Sequence, residues 1–170
     1  FKDWFKIQVS LLKMREVSFF FNTHSSSKRE YESYMNSEKP ECMTIAKKYG
    51  KEFFDGERKY GYGGYKYIPG RWDNVLDQII SFYQLNKESK VIDAGAGKGF
   101  FLNDLKSKIK SDQLYGFDIS NYAAECCPDE IKKNFFVHDI KNNLNFDNKF
   151  FDLLTCFGVI HNLKIFEIEK

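Results

Sequence analysis

A mostly parallel, doubly wound α/β sheet preceded by an N-terminal arm is the fold class that this 170-residue chain predicts. Three observations lead there. From Lys90 onward, short apolar runs alternate with helical patterns in the order strand, helix, strand, helix, strand, strand. The first of these strands runs into a glycine-spaced turn that opens a helix, Val91-Ile-Asp-Ala-Gly-Ala-Gly-Lys-Gly-Phe100. Hydrophobic residues make up 42% of the chain and charged residues 29%, a globular balance, and the abundant Phe and Tyr predict an aromatic core.

The elements follow in order. Pro40 to Gly50 predicts a helix, because Pro suits the first turn and Gly the position after the last. Tyr60 to Gly70 holds four Gly and four Tyr. Each Gly costs about 1 kcal/mol in a helix interior, so this stretch predicts an ordered loop or short hairpin. Asp73 to Tyr83 is an amphipathic helix with Val75, Leu76, Ile79, Ile80 and Tyr83 on one face. Strands are expected at Lys90–Asp93, Gln113–Asp118, Phe135–His138 and Phe151–Cys156. Helices are expected at Phe100–Ile109 and at Tyr122–Cys127, the latter stopped by Pro128.

Several classes are disfavoured. Lys and Arg number 26 against 24 Asp and Glu, a net charge of +2, which gives no reason to expect a nucleic-acid or membrane partner. No run approaches the roughly 20 apolar residues of a spanning helix. Residues 1–21 mix basic and apolar residues, yet Asp3 and Glu16 interrupt them and no small-residue cleavage site follows. Cys42, Cys126, Cys127 and Cys156 lack metal-ligand spacing, so reduced thiols, a cytoplasmic protein and no bound metal are expected. Residue 1 is Phe rather than Met, and a helical pattern is just beginning at Glu167–Lys170, so a fragment of a longer chain is expected.

Three ligand classes use a glycine turn of this kind, in which glycines let the backbone bend and a ligand approach it. A phosphate loop needs a hydroxyl residue after the Lys, and Gly99 stands there instead. A dinucleotide site needs G-x-G-x-x-G, whereas Gly95, Gly97 and Gly99 bring the third glycine one residue early. Asp93, two residues before the first glycine, repels an anionic pyrophosphate and suits a ligand with a cationic end.

This arrangement resembles the first motif of class I S-adenosylmethionine-dependent methyltransferases: an acid, any residue, then G-x-G-x-G, matched by Asp93, Gly95, Gly97 and Gly99. Asp118, in Gly116-Phe-Asp-Ile-Ser120, matches the acid that closes the family's second strand. Asp139, in Val137-His-Asp-Ile140, matches the acid after the third. Phe151 to Leu163 looks like the family's fourth strand, with its Phe-Asp start and later His. The resemblance covers roughly residues 73–166 and rests on four motifs in order. It implies a Rossmann-like fold, S-adenosyl-L-methionine as cofactor and methyl transfer as activity. It assigns cofactor contacts to Asp93, Gly95, Ala96, Gly97, Gly99, Asp118, Ile119, Asp139, Ile140 and Phe157. Asp118 would take the ribose hydroxyls and Asp139 would lie near the adenine amino group. The implied organisation is a poorly defined segment 1–30, an arm with the Tyr/Gly loop at 31–72, and a partial methyltransferase domain at 73–170. Family members carry three further strands, so an exposed apolar edge and low stability are expected here, with no cooperative melt above about 45 °C.

Two features bear on the acceptor. His161, following the fourth strand, is the candidate general base, because a neutral imidazole accepts protons near pH 7. Tyr65, Tyr67 and Arg71 are candidate lid and substrate residues, the rings covering a sulfonium and the guanidinium holding a carboxylate. Thr155-Cys-Phe-Gly158 lacks both the [ND]-P-P-[YFW] run of amino-methylating enzymes and the Pro-Cys of cytosine-carbon methyltransferases. A small-molecule acceptor remains by elimination. The rival readings are an NAD-dependent oxidoreductase and a non-catalytic S-adenosylmethionine-binding domain.

Overall fold

The computed structural model describes Val17, Phe19 and residues 39–168. Apart from Val17 and Phe19, the expected segment 1–30 and the start of the arm lie outside the described residues. Four short strands form the sheet: β1 (Val91–Ala94), β2 (Leu114–Asp118), β3 (Phe135–Val137) and β4 (Leu153–Thr155). All pairings are parallel, in the order β3-β2-β1-β4. Asp93 pairs in register with Gly116 on one side and Thr155 on the other. The chain winds outward from β1 through β2 to β3, then returns to the far side of β1. Such a reversal opens a crevice beyond the strands' carboxyl ends, where open parallel sheets bind ligands.

Strand alternation divides the core. The arm carries α1 (Lys39–Ala46) and α2 (Lys51–Asp55), and α3 (Asp73–Tyr83) follows it. The glycine turn opens α4 (Phe100–Ile109). On one face of the sheet, Val91 and Leu114 pack with Val75, Leu76 and Ile79 of α3 and with Phe101, Leu102 and Leu105 of α4. Ile92, Ala94 and Phe117 point to the other face. Among the described residues the cover there is a loop rather than the helix that a doubly wound sheet leads one to expect: Phe146 lies 4.7 Å from Phe151 and 5.5 Å from Tyr115, ring centre to ring centre. Aromatic side chains bury enough area each to close a small face without a helix.

The expected helix over 40–50 stops early. Tyr49 turns left-handed at φ +47°, and Gly50 caps a separate helix, α2, that the sequence pattern did not reveal. Between β2 and β3 the expected helix is likewise two, α5 (Asn121–Glu125) and α6 (Asp129–Lys132). Pro128 caps the second, consistent with its lack of an N–H to lose. After β4 come a 3₁₀ turn, Ile160–Asn162, and α7 (Ile165–Ile168). Leu154, Ile160, Ile165 and Phe166 are exposed there, in keeping with the apolar edge anticipated from the sequence. No helix among the described residues is long and apolar enough to cross a membrane.

Candidate functional site

The glycine turn is fastened to β2. Gly95 N–H and Ala96 N–H both donate to Phe117 O at 2.9 Å, and Gly99 N–H donates to Ala96 O at 2.9 Å. Gly97 N–H donates to Asp118 Oδ2 at 2.8 Å. Gly95 has φ +74°, and a Cβ there would overlap Val159 Cγ2, so only glycine fits. These four amides are committed within the protein. A pyrophosphate would find none of them available, which weighs against the dinucleotide reading.

Above the strand ends lie two cavities that share Tyr62, Gly95, Gly97, Phe157 and Gly158. The smaller, about 190 Å³, is bordered by Asp118, Ile119, Asp139, Ile140 and His138, with Tyr49, Phe53 and Phe54 of the arm over them. The larger, about 660 Å³, is bordered by Asp93, Ala96, Cys156, Tyr65, Trp72 and Arg71. The arm therefore roofs both, and the glycine turn forms the floor between them.

Three carboxylates stand at three strand ends in three different states. Asp93 is 3% exposed, and Thr155 Oγ1 donates to its Oδ1 at 2.7 Å. Burial pushes its carboxyl up to about 7; the Thr155 hydrogen bond opposes this and the Asp118 charge adds to it. Asp118 accepts from Ser120 N–H on Oδ1 at 2.9 Å and from Gly97 N–H on Oδ2. Burial raises its pKa despite those bonds. Asp139 is more open. Its modest burial favours the neutral acid, but Lys141, through its N–H at 3.0 Å and its ammonium at 3.2 Å, wins and lowers the pKa.

Most of the residues expected from sequence border these cavities, and three do not. Gly99 borders neither cavity; its Cα faces the core, where a Cβ would lie 2.6 Å from Ile131 Cδ1. Tyr67 is not over the cleft. Its hydroxyl donates to buried Asp104 Oδ1 at 2.5 Å and its ring lies 5.4 Å from Phe100, so it pins the loop to α4. His161 is exposed and borders neither cavity, because the 3₁₀ turn directs Val159 and Asn162 inward and His161 out. Tyr65 and Arg71 do reach the larger cavity. Burial, with the Tyr62 phenol next, pushes the Tyr65 phenol up to about 12, so it stays a neutral hydroxyl.

Sequence reasoning passed over Thr155, the partner of Asp93, and the roof residues Tyr49, Phe53 and Phe54. The Phe-Phe-Asp run at 53–55 was the available signal: two large apolar side chains beside an acid ask for a buried face and a cation. The cation is Lys98, inside the glycine turn.

Residues 91–170 match a family model described as a methyltransferase domain. No curated protein matches the chain. Among solved structures, the crystal structure of MccD protein is 22% identical over 52% of this chain and 41% of its own, with a TM-score of 0.44. The plantazolicin methyltransferase BpumL, solved in complex with SAH, is 21% identical over 71% of this chain and 50% of its own, with a TM-score of 0.41. The chain thus spans half or less of the length of either protein. Over residues 91–170, just under half of its length, this chain is similar to a methyltransferase domain.

Proposed function

We infer that the chain carries out S-adenosylmethionine-dependent methyl transfer to a small-molecule acceptor. One observation carries the reading: carboxylates at the ends of three adjacent parallel strands, Asp93, Asp118 and Asp139, open onto one roofed cleft. The cofactor's chemistry fits this donor set. Asp93, buried and paired to one hydroxyl, would take the ammonium of the methionine end. Each Asp118 oxygen accepts one amide and keeps a lone pair for a ribose hydroxyl. Ile119 and Ile140 would sandwich the adenine beside Asp139. When bound, the cofactor supplies a methyl group activated by a sulfonium.

The acceptor would lie in the larger cavity, between Tyr65, Trp72 and Phe157. Aromatic walls exclude water and hold an apolar or planar molecule in line, and positioning of this kind supplies much of the acceleration of a displacement. Arg71 at the rim would hold a carboxylate. With His161 directed away, no imidazole borders the larger cavity among the described residues, and an acceptor that is already nucleophilic fits best. Calorimetric titration with S-adenosylmethionine, S-adenosylhomocysteine and NADH tests the reading. Micromolar binding of both sulfur ligands, lost in Asp118→Ala, is expected; NADH binding in their place would favour an oxidoreductase.

A further inference from the structure

Lys98 lies inside the glycine turn, between Gly97 and Gly99, yet its side chain leaves the cleft and enters the arm. It is 6% exposed. Its ammonium donates to Asp55 Oδ2 at 2.6 Å and to Tyr65 O at 3.0 Å, and lies 5.3 Å from the centre of the Tyr122 ring. The same Asp55 carboxylate accepts the Tyr122 hydroxyl at 2.5 Å on Oδ2 and Tyr65 N–H at 3.1 Å on Oδ1. One carboxylate thus joins three segments that are distant in sequence: the glycine turn, the roof loop and α5.

Those segments are the floor and roof of the cleft. Phe54, next to Asp55, and Tyr62 cover the smaller cavity, while Tyr62 and Tyr65 cover the larger. The Tyr65 ring stacks on Phe100 at 5.1 Å, at the start of α4, and lies over Gly97. A ligand spanning both cavities touches the roof and floor that Asp55 ties together.

We propose that Asp55 is a positioning residue for cofactor binding, locking the aromatic roof of the arm to the glycine turn through Lys98 so that roof and floor close on the ligand as one unit. The proposal rests on the methyltransferase reading of the cleft. Asp55 and Lys98 line neither of the two cavities themselves. They act by fixing what does. Because binding and docking of the arm are linked, the ligand stabilises the docked arm by the same factor that docking tightens the ligand.

The test compares the parent chain with Asp55→Asn, Lys98→Met, the double variant and Tyr122→Phe. S-adenosylhomocysteine affinity is read by calorimetry and amide exchange across residues 51–65 by mass spectrometry. Each single change of the ion pair is expected to weaken binding about tenfold or more, because Asp55→Asn strands the buried Lys98 ammonium and Lys98→Met cuts the tie between turn and roof. The double variant should be no weaker than the worse single, because the pair acts as a unit. Tyr122→Phe, which keeps the ion pair and the fold, should weaken binding a few-fold. Ligand should slow exchange in 51–65 in the parent, and less in Asp55→Asn. Affinities within about twofold of the parent in variants that remain folded would overturn the proposal, even if their melting temperatures fall. If the parent itself fails to bind, the methyltransferase reading falls. The lock is then judged without ligand: exchange in 51–65 unchanged by Asp55→Asn would overturn it too.

Discussion

Replacing Asp93 by Asn should stabilise the ligand-free protein while damaging the site. Asp93 is buried at the end of the central strand, and burial pushes its carboxyl from the ordinary 3.8 to about 7. Because the folded state binds this proton more tightly than the unfolded chain does, the sign is fixed. Stability is fully present below about pH 4, falls as pH rises through 7, and levels off above. A shift of this size corresponds to about 4 kcal/mol, lost at no more than about 1.4 kcal/mol per pH unit. Asn cannot ionise, and its Oδ1 still accepts the Thr155 hydroxyl that now donates to Asp93 at 2.7 Å. Urea unfolding of parent and Asp93→Asn across this pH range gives the test. The two should coincide near about pH 4 and diverge with pH, the variant being more stable by up to about 4 kcal/mol at about pH 8. Parallel curves, or a variant less stable at high pH, would refute the argument. S-adenosylhomocysteine should show the mirror image. Its affinity for the parent should drop by up to about tenfold per unit below pH 7, and the variant should bind weakly at every pH.

Other substitutions follow from the same geometry. Gly95→Ala forces a side chain at φ +74° into Val159, so it should cost upwards of about 1 kcal/mol in a denaturation series and abolish cofactor binding by calorimetry. Tyr67→Phe removes the hydroxyl on Asp104, whose other oxygen is buried with no partner among the described residues; a loss of about 1–3 kcal/mol in unfolding free energy is expected in urea denaturation. His161→Ala should leave turnover, followed by S-adenosylhomocysteine release, within about twofold of the parent, since the ring is exposed and borders neither cavity; a loss of about a hundredfold would restore it as the base.

What was legible in the sequence was what local pattern dictates. The central strand β1 read as a short apolar run because both faces are covered, and it is buried at all four positions. The glycine turn read clearly because positive φ and close approach leave no other residue type at Gly95. Asp93 stood out beside the glycine turn, and Asp118 and Asp139 through the resemblance; each lies within two residues of a strand's carboxyl end. The roof was not legible. Tyr49, Phe53 and Phe54 come to the cleft through tertiary docking, with Ser120 Oγ donating to Tyr49 O and Lys98 gripping Asp55. The Phe-Phe-Asp run at 53–55 asks for a buried face and a cation, but nothing in it names the elements that supply them. Tyr67 and His161 went the other way: each has the right chemistry beside the right element, but Tyr67 is drawn off by Asp104 and one peptide step in the 3₁₀ turn sets His161 outward. Tyr65 faces the cleft while Tyr67 reaches Asp104, and Asn162 faces the cleft while His161 does not.

The most direct measurement is a crystal structure of the chain with S-adenosylhomocysteine bound. The ligand is expected in the roofed cleft, its ribose hydroxyls on Asp118, its ammonium on the Asp93 side and its adenine between Ile119 and Ile140. Ligand bound elsewhere on the protein, with Asp93 and Asp118 unengaged, would contradict it.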